Sequence, residues 1–164
     1  MATPKTKKGL QFTRLFTKEN VSPFDQFDYD YRDSVIKNPN GEKVFEMTNV
    51  EVPKQWSQIA TDILAQKYFR KAGVPQPDGS LGRETTVKQV AHRMANCWRV
   101  WGERYGYFAT EQDAQTFYEE LVYSILNQAC VPNSPQWFNT GLHESYGITG
   151  GAQGHYYVDP TDKK

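Results

Sequence analysis

The segment Val131-Pro132-Asn133-Ser134-Pro135-Gln136-Trp137-Phe138-Asn139-Thr140-Gly141-Leu142 restricts what this chain can fold into more than any other. Pro132 and Pro135 each fix φ and lack a backbone donor, and each pushes the residue before it toward extended geometry. The mixture of proline, asparagine, serine and glycine suits neither a regular helix nor a strand. The segment is therefore expected to be an irregular loop, with Asn133 and Ser134 extended or in a turn. Their side chains and amides would then be presented rather than paired. A stiff loop with a hydroxyl and free amides beside aromatic walls can hold an anionic or polyhydroxyl ligand. A structural turn closing a helix is the plainer reading of the same composition.

The 164 residues suit one domain with a modest core. Basic and acidic residues balance at 19 each, so no global field steers the chain toward nucleic acid. Aromatic residues are abundant at 14% while apolar residues reach only 38%, which leaves faces to spare for another surface. Lys5, Lys7 and Lys8 form a short basic start without the apolar core of a signal peptide. No apolar run is long enough to cross a bilayer. The expectation is a cytoplasmic protein with no membrane and no nucleic-acid partner.

Leu10 to Phe16 is rich in β formers and is predicted to be a first strand. Phe27–Ile36 alternates, with Phe27, Tyr29 and Tyr31 on one side. Asn40-Gly41 then signals a hairpin into Lys43–Val52. Three amphipathic helices are expected next. The first would run from Pro53, a favoured first helical residue, to about Lys71. Gly73–Gly82 is a loop. The second helix starts near Thr86, with Gln89 completing a capping box, and Val87, Val90, Ala91, Met94, Cys97 or Trp98, and Trp101 as its stripe. Gly102–Tyr107 should break it. Thr110 caps the third helix, whose inner face carries Ala114, Phe117, Leu121, Ile125 and Gln128. From Leu142 on the chain is glycine-rich and has too few apolar residues to pack by itself. The predicted class is α+β and mainly helical: an amino-terminal β-hairpin, three helices, then the loop.

The loop resembles the substrate loop of the adenosylcobalamin-dependent (class II) ribonucleotide reductases. Other stretches match in order and approximate spacing: Gly9–Thr17, Val21–Asp25, Val50–Gln58, Lys67–Arg70, Arg83–Val87 and Gly106–Thr110. Several co-linear matches are far more specific than one short motif. The resemblance spans about Gly9 to Val158, but only the amino-terminal part of the family's catalytic subunit. The basic start over 1–9 is read from its composition as a disordered tail, and the resemblance implies a helical domain over 10–142 and a Gly-rich segment over 143–164 leading toward a catalytic barrel that is absent here.

The resemblance further implies a role in a ribonucleoside-diphosphate reductase, which replaces the ribose 2′-hydroxyl by hydrogen. In the family a cobalamin-generated thiyl radical starts the reaction and a cysteine pair supplies electrons. None of those cysteines has a counterpart here, so adenosylcobalamin would be bound by the remainder of the enzyme. What carries over is Ser134, which matches the hydroxyl residue that contacts the ribonucleotide, with Asn133 as a weaker contact. The implied partners are the ribonucleotide and the carboxy-terminal remainder, with room for a homodimer of the complete enzyme. No catalytic residue is assigned to this chain.

Other reactive residues have plainer roles. Cys97 and Cys130 lack metal or redox spacing and are expected as buried thiols. His92, His143 and His155 share no ligand spacing, so no metal is expected. His92 falls on a polar helix face and the other two in loops. Arg70, Arg83 and Glu84 are read as a structural ion-pair network. Trp137 and Phe138 are read as the packing that fixes the loop. An alternative to the enzyme portion is a stand-alone nucleotide-binding regulatory module without catalysis.

Overall fold

The computed structural model describes residues 9–150. The basic tail and the segment with His155 therefore lie outside the described residues. The fold is α+β, as expected. Strand β1 (Tyr29–Lys37) pairs antiparallel with β2 (Lys43–Pro53). Helices α1 (Gln58–Ile63), α2 (Val87–Arg104), α3 (Glu111–Leu126), α4 (Ser134–Asn139) and α5 (Leu142–Tyr146) follow.

The hairpin closes through Asn38–Glu42, where Gly41 turns at φ +86°. Its register jumps between Arg32↔Val50 and Ser34↔Met47, so β2 carries one extra residue there. Asn49 takes up the bulge at φ +56° and donates its amide to Asp33 Oδ1 at 3.1 Å. Met47 and Val50 are three positions apart, yet both are buried. An unbroken strand would send them to opposite faces. Of the three aromatics expected on one side, Phe27 and Tyr29 are half-buried and Tyr31 is exposed.

Helix α2 starts as the sequence indicates. Thr86 and Gln89 form the reciprocal capping box. Thr110 caps α3 by accepting from the Asp113 amide at 3.1 Å. The two helices pack together, and Val87, Val90, Met94, Val122, Ile125 and Leu126 join Val50 and Val52 in one core. Gln128 lies beyond α3 at φ +56°, not on its inner face.

Three further expectations fail. Leu10–Phe16 is not a strand: only Leu10 bridges, to Phe108, because no strand lies beside the rest. Side chains of α3 tie this arm down instead. Phe12 donates its amide to Asp113 Oδ1 at 2.9 Å, Thr17 donates its hydroxyl to Glu120 Oε1 at 2.6 Å, and Arg14 pairs with Glu119. Pro53 does not open a helix but ends β2 opposite Tyr29. The helix begins only at Gln58, capped by Ser57, and its last turn widens into a π-helix over Leu64–Tyr68. Gly73–Gly82 is not a plain loop but holds a two-residue strand pair, β3 (Val74–Pro75) with β4 (Leu81–Gly82). The break expected over Gly102–Tyr107 is present, since α2 ends at Arg104, although Gly102 itself still lies within the helix. A Cβ there would lie 2.3 Å from the Phe108 ring, so glycine serves close packing.

Gly141 joins α4 to α5 at φ +80°, and a Cβ on it would sit 1.9 Å from the Arg93 carbonyl oxygen. Gly79 has a similar φ of +82° but open space around it. Gly141→Ala is expected to cost about 3 kcal/mol or more, and Gly79→Ala about 1–2 kcal/mol. Urea unfolding of the two variants checks the difference.

Candidate functional site

The Pro-Asn-Ser-Pro segment is not an irregular loop throughout. Asn133 is extended, as expected, at φ −69° and ψ 162°, but Ser134 already begins α4. Pro135 tolerates this because the first helical turn has no use for its missing donor. The Gln136 amide bonds to the Asn133 carbonyl at 3.0 Å, and Trp137 donates its indole N–H to the Pro132 carbonyl at 2.7 Å. The loop is thus closed on itself by its own helix and its own tryptophan. Trp137 is buried in the core as expected. Phe138 is not core packing: it is exposed and leans on the Tyr68 ring at 5.3 Å.

Ser134 Oγ lies 2.9 Å from Tyr68 Oη. The Tyr68 ring stacks on Trp137 at 5.4 Å, so both hydroxyls are held by aromatic packing. Beside them opens a cleft of about 370 Å³. Trp56, Leu64 and Ile125 form its buried floor, Ile63 and Val131 flank it, and Asn133, Ser134 and Tyr68 bring the polar atoms. Such a cleft, mostly apolar with a few convergent polar groups, has the make-up of a small-molecule site. Tyr68 had no place among the site residues read from sequence. It sits at the end of the π-turn, and π-turns often mark functional sites.

A buried charge cluster holds α4 from behind. Arg93 and Glu84 both have fully buried side chains, 0% exposed. Arg93 Nε donates to Glu84 Oε1 at 2.7 Å. Its Nη1 donates to the Thr140 carbonyl at 2.7 Å and its Nη2 to the Trp137 carbonyl at 2.6 Å. These are carbonyls at the end of α4, which short helices leave unsatisfied. Glu84 also accepts from the Arg70 amide at 2.7 Å and from the Tyr146 hydroxyl at 2.8 Å. Burial, and then the charge of Glu84, push the Tyr146 phenol well above its ordinary range. One ion pair therefore ties α2, α4, α5 and the segment after the π-turn together.

The expected Arg70–Arg83–Glu84 network is only partly present. Glu84 is its centre, Arg70 contributes a backbone amide, and Arg83 contributes a carbonyl to Gln76 Nε2 at 3.2 Å. The charged partner is Arg93, which sequence reasoning missed. Its signal was there: Arg93 lies between Val90 and Cys97 on the apolar stripe of α2, where an arginine must find a buried partner.

The remaining reactive residues are placed apart. Cys97 is buried and its thiol donates to Glu144 at 3.5 Å; Cys130 is half-buried. Burial, and then the Glu144 charge, push the Cys97 thiol up to about 11. His92 is exposed on α2 and bonds Tyr118 Oη at 2.8 Å, while His143 lies in α5 rather than a loop. Among the described residues, no three His, Cys, Asp or Glu converge as a metal site, and no helix is long and apolar enough to cross a membrane.

The model of the family described as class II vitamin B12-dependent ribonucleotide reductase matches residues 30–128. Three curated relatives carry the name vitamin B12-dependent ribonucleotide reductase. The protein of Bradyrhizobium diazoefficiens is 44% identical over 92% of this chain, that of Agrobacterium fabrum 44% over 92%, and that of Rhodopirellula baltica 38% over 88%. Each alignment takes up 14% of the relative, so the chain spans about one seventh of their length. The family match stops short of Asn133 and Ser134. The alignment with the Bradyrhizobium protein leaves out less than a tenth of the chain and so reaches past them.

Two outcomes follow for the cluster and the thiol. Arg93→Met strands the Glu84 charge and is expected to cost about 3–5 kcal/mol by urea unfolding. Arg93→Met with Glu84→Leu should cost less than the two single changes added together. For Cys97, a raised folded value means that the neutral thiol is favoured by folding. Its contribution is complete below the ordinary value of 9.0 and is lost as pH rises toward about 11. At pH 8 only about one thiol in a thousand is ionised, so Cys97 should resist iodoacetamide in the folded protein and react on unfolding. Mass spectrometry of the labelled peptide reads both states.

Proposed function

Because the chain belongs to the class II vitamin B12-dependent ribonucleotide reductases, we propose that it is the amino-terminal portion of a ribonucleoside-diphosphate reductase and supplies the loop that positions the ribonucleotide. The observation that carries this is the Ser134–Tyr68 hydroxyl pair at the rim of a preformed cleft. Two hydroxyls 2.9 Å apart share one hydrogen bond between them. The other hydroxyl hydrogen and the remaining lone pairs stay available to a ribose hydroxyl. Asn133, extended and without a capping bond, offers a second polar side chain.

This chain's share of catalysis is positioning. Ser134 is fixed by the helix it starts, Tyr68 by its stack on Trp137, and both by the Arg93 cluster that anchors α4. A hydroxyl already held in place loses little freedom when substrate binds, which is how orientation lowers a barrier. The buried floor of Trp56, Leu64 and Ile125 keeps water from one side of the bound sugar.

The residues around Ser134 do not fit a corrinoid. The cleft holds about 370 Å³ above a closed aromatic and aliphatic floor, room for part of a nucleotide and not for a macrocycle. Cys97 does not suit thiol redox chemistry with it, because its side chain is buried and favoured as the neutral thiol. On this reading the remainder of the polypeptide binds adenosylcobalamin and carries out the reduction.

In the complete reductase, Ser134→Ala and Tyr68→Phe are each expected to lower kcat/KM for ribonucleotide reduction roughly tenfold, with an unchanged unfolding midpoint. Steady-state assays with a dithiol reductant measure this. Unchanged kcat/KM in both variants would remove the substrate role from the loop.

A further inference from the structure

The cleft beside Ser134 has a rim of the wrong polarity for a surface that meets only water. Ile59 and Ile63 lie one turn apart on the same face of α1, and Ile63 flanks the cleft. Val131 faces it from the loop. Ile59 is 71% exposed and Val131 67% exposed. Single exposed aliphatic residues are ordinary, but Ile63 and Val131 line one opening that continues inward to Leu64 and Ile125, and Ile59 extends the same face of α1 next to it. The same face carries the Ser134–Tyr68 pair.

We propose that this apolar rim, Ile59, Ile63 and Val131, is the surface on which the remainder of the reductase polypeptide docks, through an aliphatic segment that covers the mouth of the cleft. The inference rests on the functional reading above. Two observations choose the occupant. The chain spans 14% of the curated relatives, so on the functional reading above the rest of such a polypeptide is the partner tethered beside this face. Ser134 and Tyr68 supply only one wall of a site, and a ribonucleotide on that wall stays open to water until other protein closes over it. The rim is thus a contact surface next to a half-built site, where covering protein would bury aliphatic area and complete the enclosure in one step.

The test is co-expression of this chain, tagged, with the carboxy-terminal remainder of a reductase relative such as the Bradyrhizobium protein, followed by capture. Three variants are compared: Ile59→Asp, Val131→Asp, and Leu81→Asp as a control on β4, 72% exposed and away from the cleft. All three positions are exposed, and thermal unfolding of each variant alone confirms that it folds. The expected result is capture of the remainder by the wild-type chain and by Leu81→Asp, with at least tenfold less captured by Ile59→Asp and by Val131→Asp. A second readout uses Ile59→Cys, whose maleimide labelling should fall at least tenfold in the captured complex. Equal capture by all three variants, with labelling of the Ile59→Cys thiol undiminished in the complex, overturns the docking face and leaves the functional reading standing. No capture by the wild-type chain overturns both. If light scattering instead shows that the chain alone dimerises and that Ile59→Asp abolishes the dimer, the face belongs to a second copy and the proposal falls.

Discussion

The buried Arg93–Glu84 pair is the interaction on which the rest of the structure depends. Two charges at zero exposure would be prohibitive unless their hydrogen-bonding capacity were used. Here it is. The guanidinium directs its donors to Glu84 and to two carbonyls of the α4 end, and the carboxylate takes an amide and a phenol besides. Such a cluster adds little net stability compared with apolar packing of the same volume. Its effect is on uniqueness: only one placement of α4 and α5 satisfies every group, and any slip strands a charge. A helix of six residues has no stability of its own. The position of Ser134 is therefore set by an arginine 41 residues earlier in the chain.

This bears on which parts of the fold the sequence discloses. The hairpin and the starts of α2 and α3 were legible because their causes are local. Asn40-Gly41 makes its own turn, and Thr86 and Thr110 cap the helices they precede. The failures share the opposite property. Leu10–Phe16 has strand composition, but a strand needs a neighbour, and what lies beside it is α3. Pro53 has the propensity to begin a helix, but cross-strand pairing with Tyr29 claims it first. α4 looked irregular by composition because its stabilising partners are Arg93, Tyr68 and the Pro132 carbonyl, which no local rule brings together.

The candidate site divides in the same way. Ser134 and Asn133 could be named from sequence because the prolines beside them set them apart, and because the segment resembles a known loop. Tyr68 could not, since its neighbourhood reads as one more amphipathic turn. Only the widened π-turn swings its ring under Trp137 and its hydroxyl to Ser134. Arg93 was visible as a charge on an apolar stripe, yet its partner Glu84 sits in a segment whose periodicity says nothing about burial.

The polarity of the molecule now has a single physical account. Among the described residues its largest fully buried side chain is an arginine, while isoleucine and valine stand in solvent around the cleft. In an isolated domain both would be errors of pattern, one costing desolvation and the other inviting association. They become consistent if the chain's task is to hold one hydroxyl rigidly at an edge that other protein completes. Rigidity without a large core requires directional bonds, which the ion pair provides. An edge built for completion must leave aliphatic surface uncovered, which the rim provides. The inward charge and the outward aliphatic rim then answer the same demand, a fixed Ser134 at the boundary between this chain and what covers it.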